Sequence, residues 1–311
     1  MTRNSKAMNL FLATRPKFLT ASVSPILVGS ALGFLVTGTF NWPLFILALF
    51  AIMAFQAGAN VINDYYDHLS RNDWLNTNWT PFSGGSRSIQ NGLLTPNETR
   101  ILGLSLFAAG AAAGLIIVLL TKSLFILTIG LAGLLGGFFY TAKPVKLGYR
   151  TVGEFFIAML FGVLPVYGAY YLQTARIDLF VLPPACIIGI LVFLIVLANE
   201  FPDAAADAAV NKNTLVVHFG TPVCVWIYRL TLAASFLLAI TSILLYQKSL
   251  IAAALYLLTL PVAVIAMKFV NKKDLAQPNP AQIRASGITV LIHSIGTIAL
   301  TAGFLVTALL S

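Results

Sequence analysis

The sequence predicts an all-α integral membrane protein, one bundle of transmembrane helices built as a single domain over residues 1–311. Three observations carry this. Of the residues, 59% are hydrophobic and only 9% charged. The mean hydropathy is +0.89. The apolar residues fall in runs of about 20, the length that crosses a bilayer. A soluble domain carries about a quarter charged residues as its hydrated coat, so soluble enzymes and binding modules are excluded. A formal charge of +9 suggests nucleic acid in a soluble protein. Here it reads as loop charge that sets orientation, with no nucleic-acid partner. Cys186 and Cys224 stand alone in apolar stretches, without ligand spacing, as small core residues.

In chain order the runs predict nine spans, at 18–37, 43–65, 99–120, 123–141, 152–171, 179–199, 222–245, 250–270 and 285–309. The first follows a basic start (Arg3, Lys6, Arg15, Lys17) and superficially resembles a signal peptide. Its length, the lack of a small-residue cleavage site and the spans that follow make it a retained helix. The connections alternate. Those at 38–42, 121–122, 172–178 and 246–249 are short, and those at 66–98, 142–151, 200–221 and 271–284 are long and polar. The N-terminus and the long connections carry Arg3, Lys6, Arg15, Lys17, Arg71, Arg87, Arg100, Lys143, Lys146, Arg150, Lys212, Lys268, Lys272, Lys273 and Arg284. The opposite side carries only Lys122, Arg176 and Lys248, with Arg229 inside the seventh span. The expected orientation therefore has the N-terminus and long loops in the cytoplasm, the C-terminus outside, and the protein in the cell's inner membrane.

Acidic residues concentrate in two windows, each starting at the cytoplasmic end of a span. The first contains Asn60, Asn63, Asp64, Asp67 and, further on, Asp73. The second contains Asn199, Glu200, Asp203 and Asp207. Asn60 with Asp64, Asn63 with Asp67, and Asn199 with Asp203 and Asp207 repeat at four-residue spacing, so each set shares a helix face. Pro202 is expected to break or kink the second helix and expose backbone groups. Like charges at this spacing repel, and carboxylates near lipid cost several kcal/mol unless compensated. The economical compensation is Mg²⁺, which takes one or two carboxylates plus substrate phosphates. Two such clusters suggest two metals bridging to a diphosphate. A solvated polar cap explains neither the duplication nor the paired asparagines. A proton or ion pathway expects acids spread through the membrane depth, yet only Glu154 starts another span.

Cations share these loops. Arg87 ends a Gly/Ser stretch (Ser83, Gly84, Gly85, Ser86) suited to presenting backbone N–H groups to phosphate. Lys143 and Lys146 follow Tyr140, and Lys212 follows the second acidic window. Singly each reads as a loop charge; together they form a diphosphate clamp.

At these residues the chain resembles the UbiA superfamily of membrane prenyltransferases. The family's NDxxDxxxD pattern is matched at Asn63, Asp64 and Asp67, but Arg71 stands where the third acid is expected and that acid is displaced to Asp73. DxxxD is matched at Asp203 and Asp207. The family's tyrosine-to-lysine motif has one residue fewer between Tyr140 and Lys143, which leaves Lys143 and Lys146 as alternatives. The displaced acid and the segments at 13–29, 83–94 and 211–220 resemble the branch that prenylates 1,4-dihydroxy-2-naphthoate for menaquinone. The resemblance implies nine helices around a central cavity open to lipid. It also implies catalytic and metal-binding roles for Asn63, Asp64, Asp67, Asn199, Asp203 and Asp207, and diphosphate binding by Arg87, Lys143 or Lys146, Lys212 and Tyr140. The implied substrates are a prenyl diphosphate and an aromatic acid, with loss of carbon dioxide in the menaquinone branch. 4-Hydroxybenzoate or homogentisate is the alternative acceptor, and a lipid or ion transporter the alternative class.

His68, His218 and His293 lack the spacing of a zinc site. Phe138, Phe139, Phe155, Phe156, Tyr167, Tyr170 and Tyr171 are expected to pack rather than line a channel. Gly133, Gly136 and Gly137 are expected to let helices approach. Arg15 is weighed between orientation and an acceptor carboxylate, and Arg229 has no partner legible in the sequence.

Overall fold

The protein is described by a computed structural model covering residues 5–271, 275 and 279–311. Arg3, Lys272 and Lys273, counted above for orientation, lie outside the described residues. Helices α1 (Lys6–Ala13), α2 (Leu19–Thr37), α3 (Trp42–Leu69), α4 (Asn72–Leu75), α5 (Pro96–Thr121) and α6 (Leu124–Phe139) form the first half. The second half holds α7 (Gly153–Thr174), α8 (Leu182–Ala209), α9 (Leu215–Leu245), α10 (Leu250–Leu257), α11 (Leu260–Phe269) and α12 (Pro280–Leu310). Among the described residues no β-strand forms.

Among the described residues, seven helices are long and apolar enough to cross a membrane, or eight counting one bent pair as a span. That pair is the predicted eighth span, bent by 48° between Leu257 and Leu260. The break precedes Pro261, which has no N–H to offer the Leu257 carbonyl; Thr259 Oγ1 donates to the Tyr256 carbonyl at 2.7 Å beside it. The predicted fourth span is α6, only 16 residues, about 24 Å at 1.5 Å per residue. It is too short to count by length.

Local chemistry sets the ends. Side chains of Ser5, Asn41, Ser123 and Asn279 accept a backbone N–H at helix starts, and Thr95 with Glu98 closes a capping box at α5. Two helices run further than hydropathy suggests. α3 continues to Leu69 and α8 to Ala209, which puts both acidic windows on helix. The break expected at Pro202 does not occur. The Ala198 carbonyl deprived of its donor by Pro202 accepts Ser286 Oγ at 3.4 Å, and the Pro202 carbonyl accepts Asn78 Nδ2 at 3.1 Å. Ser286 of a neighbouring helix therefore supplies the donor that the proline removes, and the loop holds the proline's own carbonyl. α9 begins at Leu215, seven residues before the predicted span, with a kink at Gly220 (φ 76°, ψ 161°) just before Pro222.

α8 is the central helix, packed on α7, α9 and α12. Its Ile188, Leu191, Leu194 and Leu197 are fully buried. α2 packs on both α7 and α12, closing the first long helix against the last. Close approach depends on glycine. A Cβ at Gly162 would lie 2.5 Å from Gly189 Cα, and one at Gly303 would lie 2.2 Å from Ala252 Cα. Leu124, Leu179 and Leu244 stand outward, 75, 74 and 77% exposed. That is a cost in water and none in hydrocarbon. The protein is a multi-pass membrane bundle.

Candidate active site

Both acidic windows meet at one end of the bundle. Asn63, Asp67, Asn199, Asp203, Asp207, Lys212 and Tyr140 line one cavity of about 200 Å³. Lys212 Nζ stands 3.6 Å from Asp67 Oδ2 and 3.3 Å from Asp207 Oδ1. Oxygens from α3 and α8 therefore lie within about 7 Å of each other, the scale of a diphosphate. Burial opposes the charge of Lys212, but Asp207 and Asp67 outweigh it and hold the ammonium well above its ordinary range.

Each carboxylate has further partners. Asn63 Nδ2 donates to Asp67 Oδ2 at 2.9 Å and Tyr149 Oη to Asp67 Oδ1 at 3.3 Å. Burial, then Asp67, pushes the Tyr149 hydroxyl up to about 12, which keeps it a donor. Arg15 forms an ion pair with Asp64 and donates to Asn63 Oδ1 at 3.1 Å. The loop after α3 supplies the rest. Asn72 Nδ2 donates to Asp207 Oδ1 at 2.8 Å, Asn76 Nδ2 to Asp203 Oδ1 at 2.7 Å, and the Gly84 N–H to Asp203 Oδ2 at 3.1 Å. The Ser86 N–H reaches Asp64 at 3.3 Å. Asn78 Nδ2 ties the same loop to Gln282 at 2.9 Å. At Gly85 (φ +77°) a Cβ would sit 2.9 Å from Asp73 Oδ2 and 3.1 Å from Asp64 Oδ1, so glycine lets the loop lie on the carboxylates.

Asp73, the displaced acid, also lines the cavity. Burial, then Asp67 and Asp64, pushes its carboxyl up to about 8. Deeper in, Glu154 accepts the Leu215 N–H at 2.9 Å. Among the described residues, Glu154 Oε2, Glu200 Oε2, Asn199 Oδ1 and Thr214 Oγ1 are buried without a hydrogen-bond partner. Counting Asp64, Asp67, Asp73, Glu154, Glu200, Asp203 and Asp207, seven of the ten acids gather here against Arg15 and Lys212. The surplus is negative, and the donors are carboxylate and amide oxygens, the set that suits Mg²⁺. Among the described residues no three His, Cys, Asp or Glu side chains already form a metal cluster.

The other predicted cations stand apart. Arg87 donates to the Asp73 carbonyl and lies over the Trp79 ring, outside the inner cavity. Lys146 sits over Tyr149, 4.0 Å from the ring centroid, while Lys143 is exposed. Sequence reasoning missed Asn72, Asn76, Asn78, Tyr149 and Thr214. The asparagine-rich run 72–78 is the one signal that pointed to them. It left the partner of Arg15 open and that of Arg229 unnamed. Arg229 caps the carbonyls of Met267 (3.0 Å) and Val270 (3.1 Å) at the end of α11.

Residues 22–308 match the UbiA prenyltransferase family. A 1,4-dihydroxy-2-naphthoate octaprenyltransferase of Haemophilus influenzae is 30% identical over 70% of this chain and 71% of its own length. A 2-carboxy-1,4-naphthoquinone phytyltransferase of Synechocystis is 26% identical over 94% and 91%. A solved UbiA homolog from Archaeoglobus fulgidus, bound to DMAPP and Mg²⁺, aligns over 94% of this chain and 99% of its own at a TM-score of 0.67. It is 17% identical and shares the fold. The chain belongs to the UbiA prenyltransferase family, a family of membrane-embedded enzymes that transfer prenyl groups.

Proposed function

We propose that the protein moves a polyprenyl group from its diphosphate to 1,4-dihydroxy-2-naphthoate, with Mg²⁺, at the cytoplasmic face. The observation that carries this is the meeting of Asp67 and Asp207 across one ammonium. The relatives named for naphthoate substrates and the DMAPP- and Mg²⁺-bound structural neighbour support the reading. The all-oxygen donor set fits the ion. Asn63, Asp64 and Asp67 on one tip, and Asp203 and Asp207 with Asn199 on the other, would hold it through one or two carboxylates plus diphosphate oxygens. Bound there, Mg²⁺ supplies Lewis acidity toward the departing diphosphate.

The chain's own groups do the rest. Lys212 and Arg15 take up negative charge as the allylic C–O bond breaks and its electron pair leaves with diphosphate. The surrounding apolar wall, Ile157, Phe161 and Val192 among others, keeps water from the allylic carbon. The aromatic ring then supplies the electron pair for the new C–C bond, and its carboxyl group departs as carbon dioxide. Tyr140, also on the wall, would stand beside a diphosphate bound there. The excess of Lys and Arg on the loops at this end supports a cytoplasmic site.

Purified protein given a polyprenyl diphosphate, 1,4-dihydroxy-2-naphthoate and Mg²⁺ is expected to release pyrophosphate and carbon dioxide together. Asp67→Asn and Asp203→Asn should each lower turnover by about 100-fold or more. Full turnover in both variants sinks the site, and pyrophosphate release without carbon dioxide points to another acceptor.

A further inference from the structure

A second cleft, of about 480 Å³, lies beside the acidic cavity between the N-terminal segment and the loop that covers α3. Among the described residues its lining contains Arg15, Lys17 and Arg87 and no acidic residue. This is the reverse of the inner cavity's charge. Arg15 is engaged by Asp64. Lys17 and Arg87 form no ion pair among the described residues; each lies over aromatic rings instead. Lys17 Nζ is 5.3 Å from the centroids of both Phe18 and Phe82, and Arg87 is 5.9 Å from that of Trp79. Phe18 and Phe82 meet edge to face at 6.4 Å. The cleft therefore offers flat apolar walls with two cations on them, the chemistry that recognises a planar ring bearing a carboxylate. Phe18, Phe82, Ser83 and Gly85 line both cavities, so a guest here stands one glycine away from the acids.

We propose that this outer cleft captures the aromatic carboxylate acceptor from the cytoplasm, through Lys17 and Arg87, before it reaches the allylic carbon. The inference rests on the reading of the acceptor as an aryl carboxylate. It reassigns Arg87 from the diphosphate to the acceptor. Electrostatics explains why a separate capture site is needed. The inner cavity, lined by Asp67, Asp73, Glu200, Asp203 and Asp207, repels an aryl carboxylate until diphosphate and cation have changed its charge. The outer cleft, free of acids, accepts the anion without them.

The test is equilibrium binding of 1,4-dihydroxy-2-naphthoate to the purified full chain without Mg²⁺ or donor, under anaerobic conditions and read by the fluorescence of the ligand. Lys17→Gln and Arg87→Gln should each weaken binding about tenfold, the scale of one charge-assisted contact. Lys17→Arg should restore most of it. 1,4-Naphthalenediol, which lacks the carboxylate, should bind all variants alike, and pyrophosphate should not displace the naphthoate. In turnover, the two Gln variants should raise the KM for acceptor with the KM for donor within about twofold, which also shows that they fold. Unchanged naphthoate affinity in both variants overturns the proposal, as does competitive displacement by pyrophosphate. If binding follows this charge pattern but no prenylated naphthoquinol forms, the proposed reaction fails while the aryl-carboxylate site stands.

Discussion

Lys212 is the residue on which the two acidic tips depend. Its single ammonium contacts Asp67 and Asp207. Lys212→Gln leaves both carboxylates facing each other and removes a charge from the leaving diphosphate. Turnover should fall about 100-fold, with Lys212→Arg retaining more of it; wild-type turnover in the Gln variant contradicts the role. Asp73 makes a different prediction. Its carboxyl is pushed from 3.8 up to about 8 in the folded protein. Between those values the unfolded chain has lost the proton that the folded chain keeps, so this group's contribution to stability falls as pH rises from about 4 to 8 and is level above. Asp73→Asn removes that slope. Its melting temperature relative to wild type should rise across this window, measured in detergent with chelator, and a pH-independent difference contradicts it. The spacing of Asp64, Asp67, Asp203 and Asp207 was legible because it follows helix periodicity. The partners Asn72, Asn76 and Tyr149 were not, because their contacts with Asp207, Asp203 and Asp67 span 135, 127 and 82 residues.

At the scale of elements, helix contacts are set by missing side chains. Gly303→Leu drives a side chain into the Ala252 backbone, and Gly162→Val into Gly189. Neither neighbour can yield, so each variant should lose about 3 kcal/mol or more of stability. Gly130→Ala, with open space around its Cβ, should melt as wild type does. Equal melting of all three removes the argument. Ser286→Ala tests the repair of α8 at Pro202. It strips the Ala198 carbonyl of its donor and should cost about 1–3 kcal/mol. Hydropathy located the spans but stopped α3 and α8 short, because their last turns are polar. In α8 the loop at 72–86 hydrogen-bonds to Asp203 and Asp207 of those turns, and Asp67 of α3 accepts from Asn63 and Tyr149.

The whole molecule carries its chemistry at one end. Arg15 of the N-terminal segment sits beside Asp64, while α12 starts at that same end, where Gln282 meets Asn78, and runs 31 residues away from it. Arg15 and the last turn of α12 therefore lie at opposite ends of the bundle, as the charge count of the loops expects if the site is cytoplasmic. Lys143 and Lys248 are both exposed, one in each kind of loop. In a protein with Cys186 and Cys224 replaced, an impermeant maleimide should label Lys248→Cys in intact cells, and Lys143→Cys only after permeabilisation. The reverse pattern overturns the orientation.

By itself the sequence determined the solvent of this protein and the depth of its acids. Both follow from local quantities, the share of charged residues and the position of carboxylates on helical runs. Only the tertiary structure decided that Lys212, rather than Lys143, stands between the tips, that Arg15 binds Asp64, and that the 72–86 loop seals both windows. Those choices depend on which helix ends share a cavity. That is set by close backbone contacts such as Gly162 on Gly189, between residues that no local pattern links.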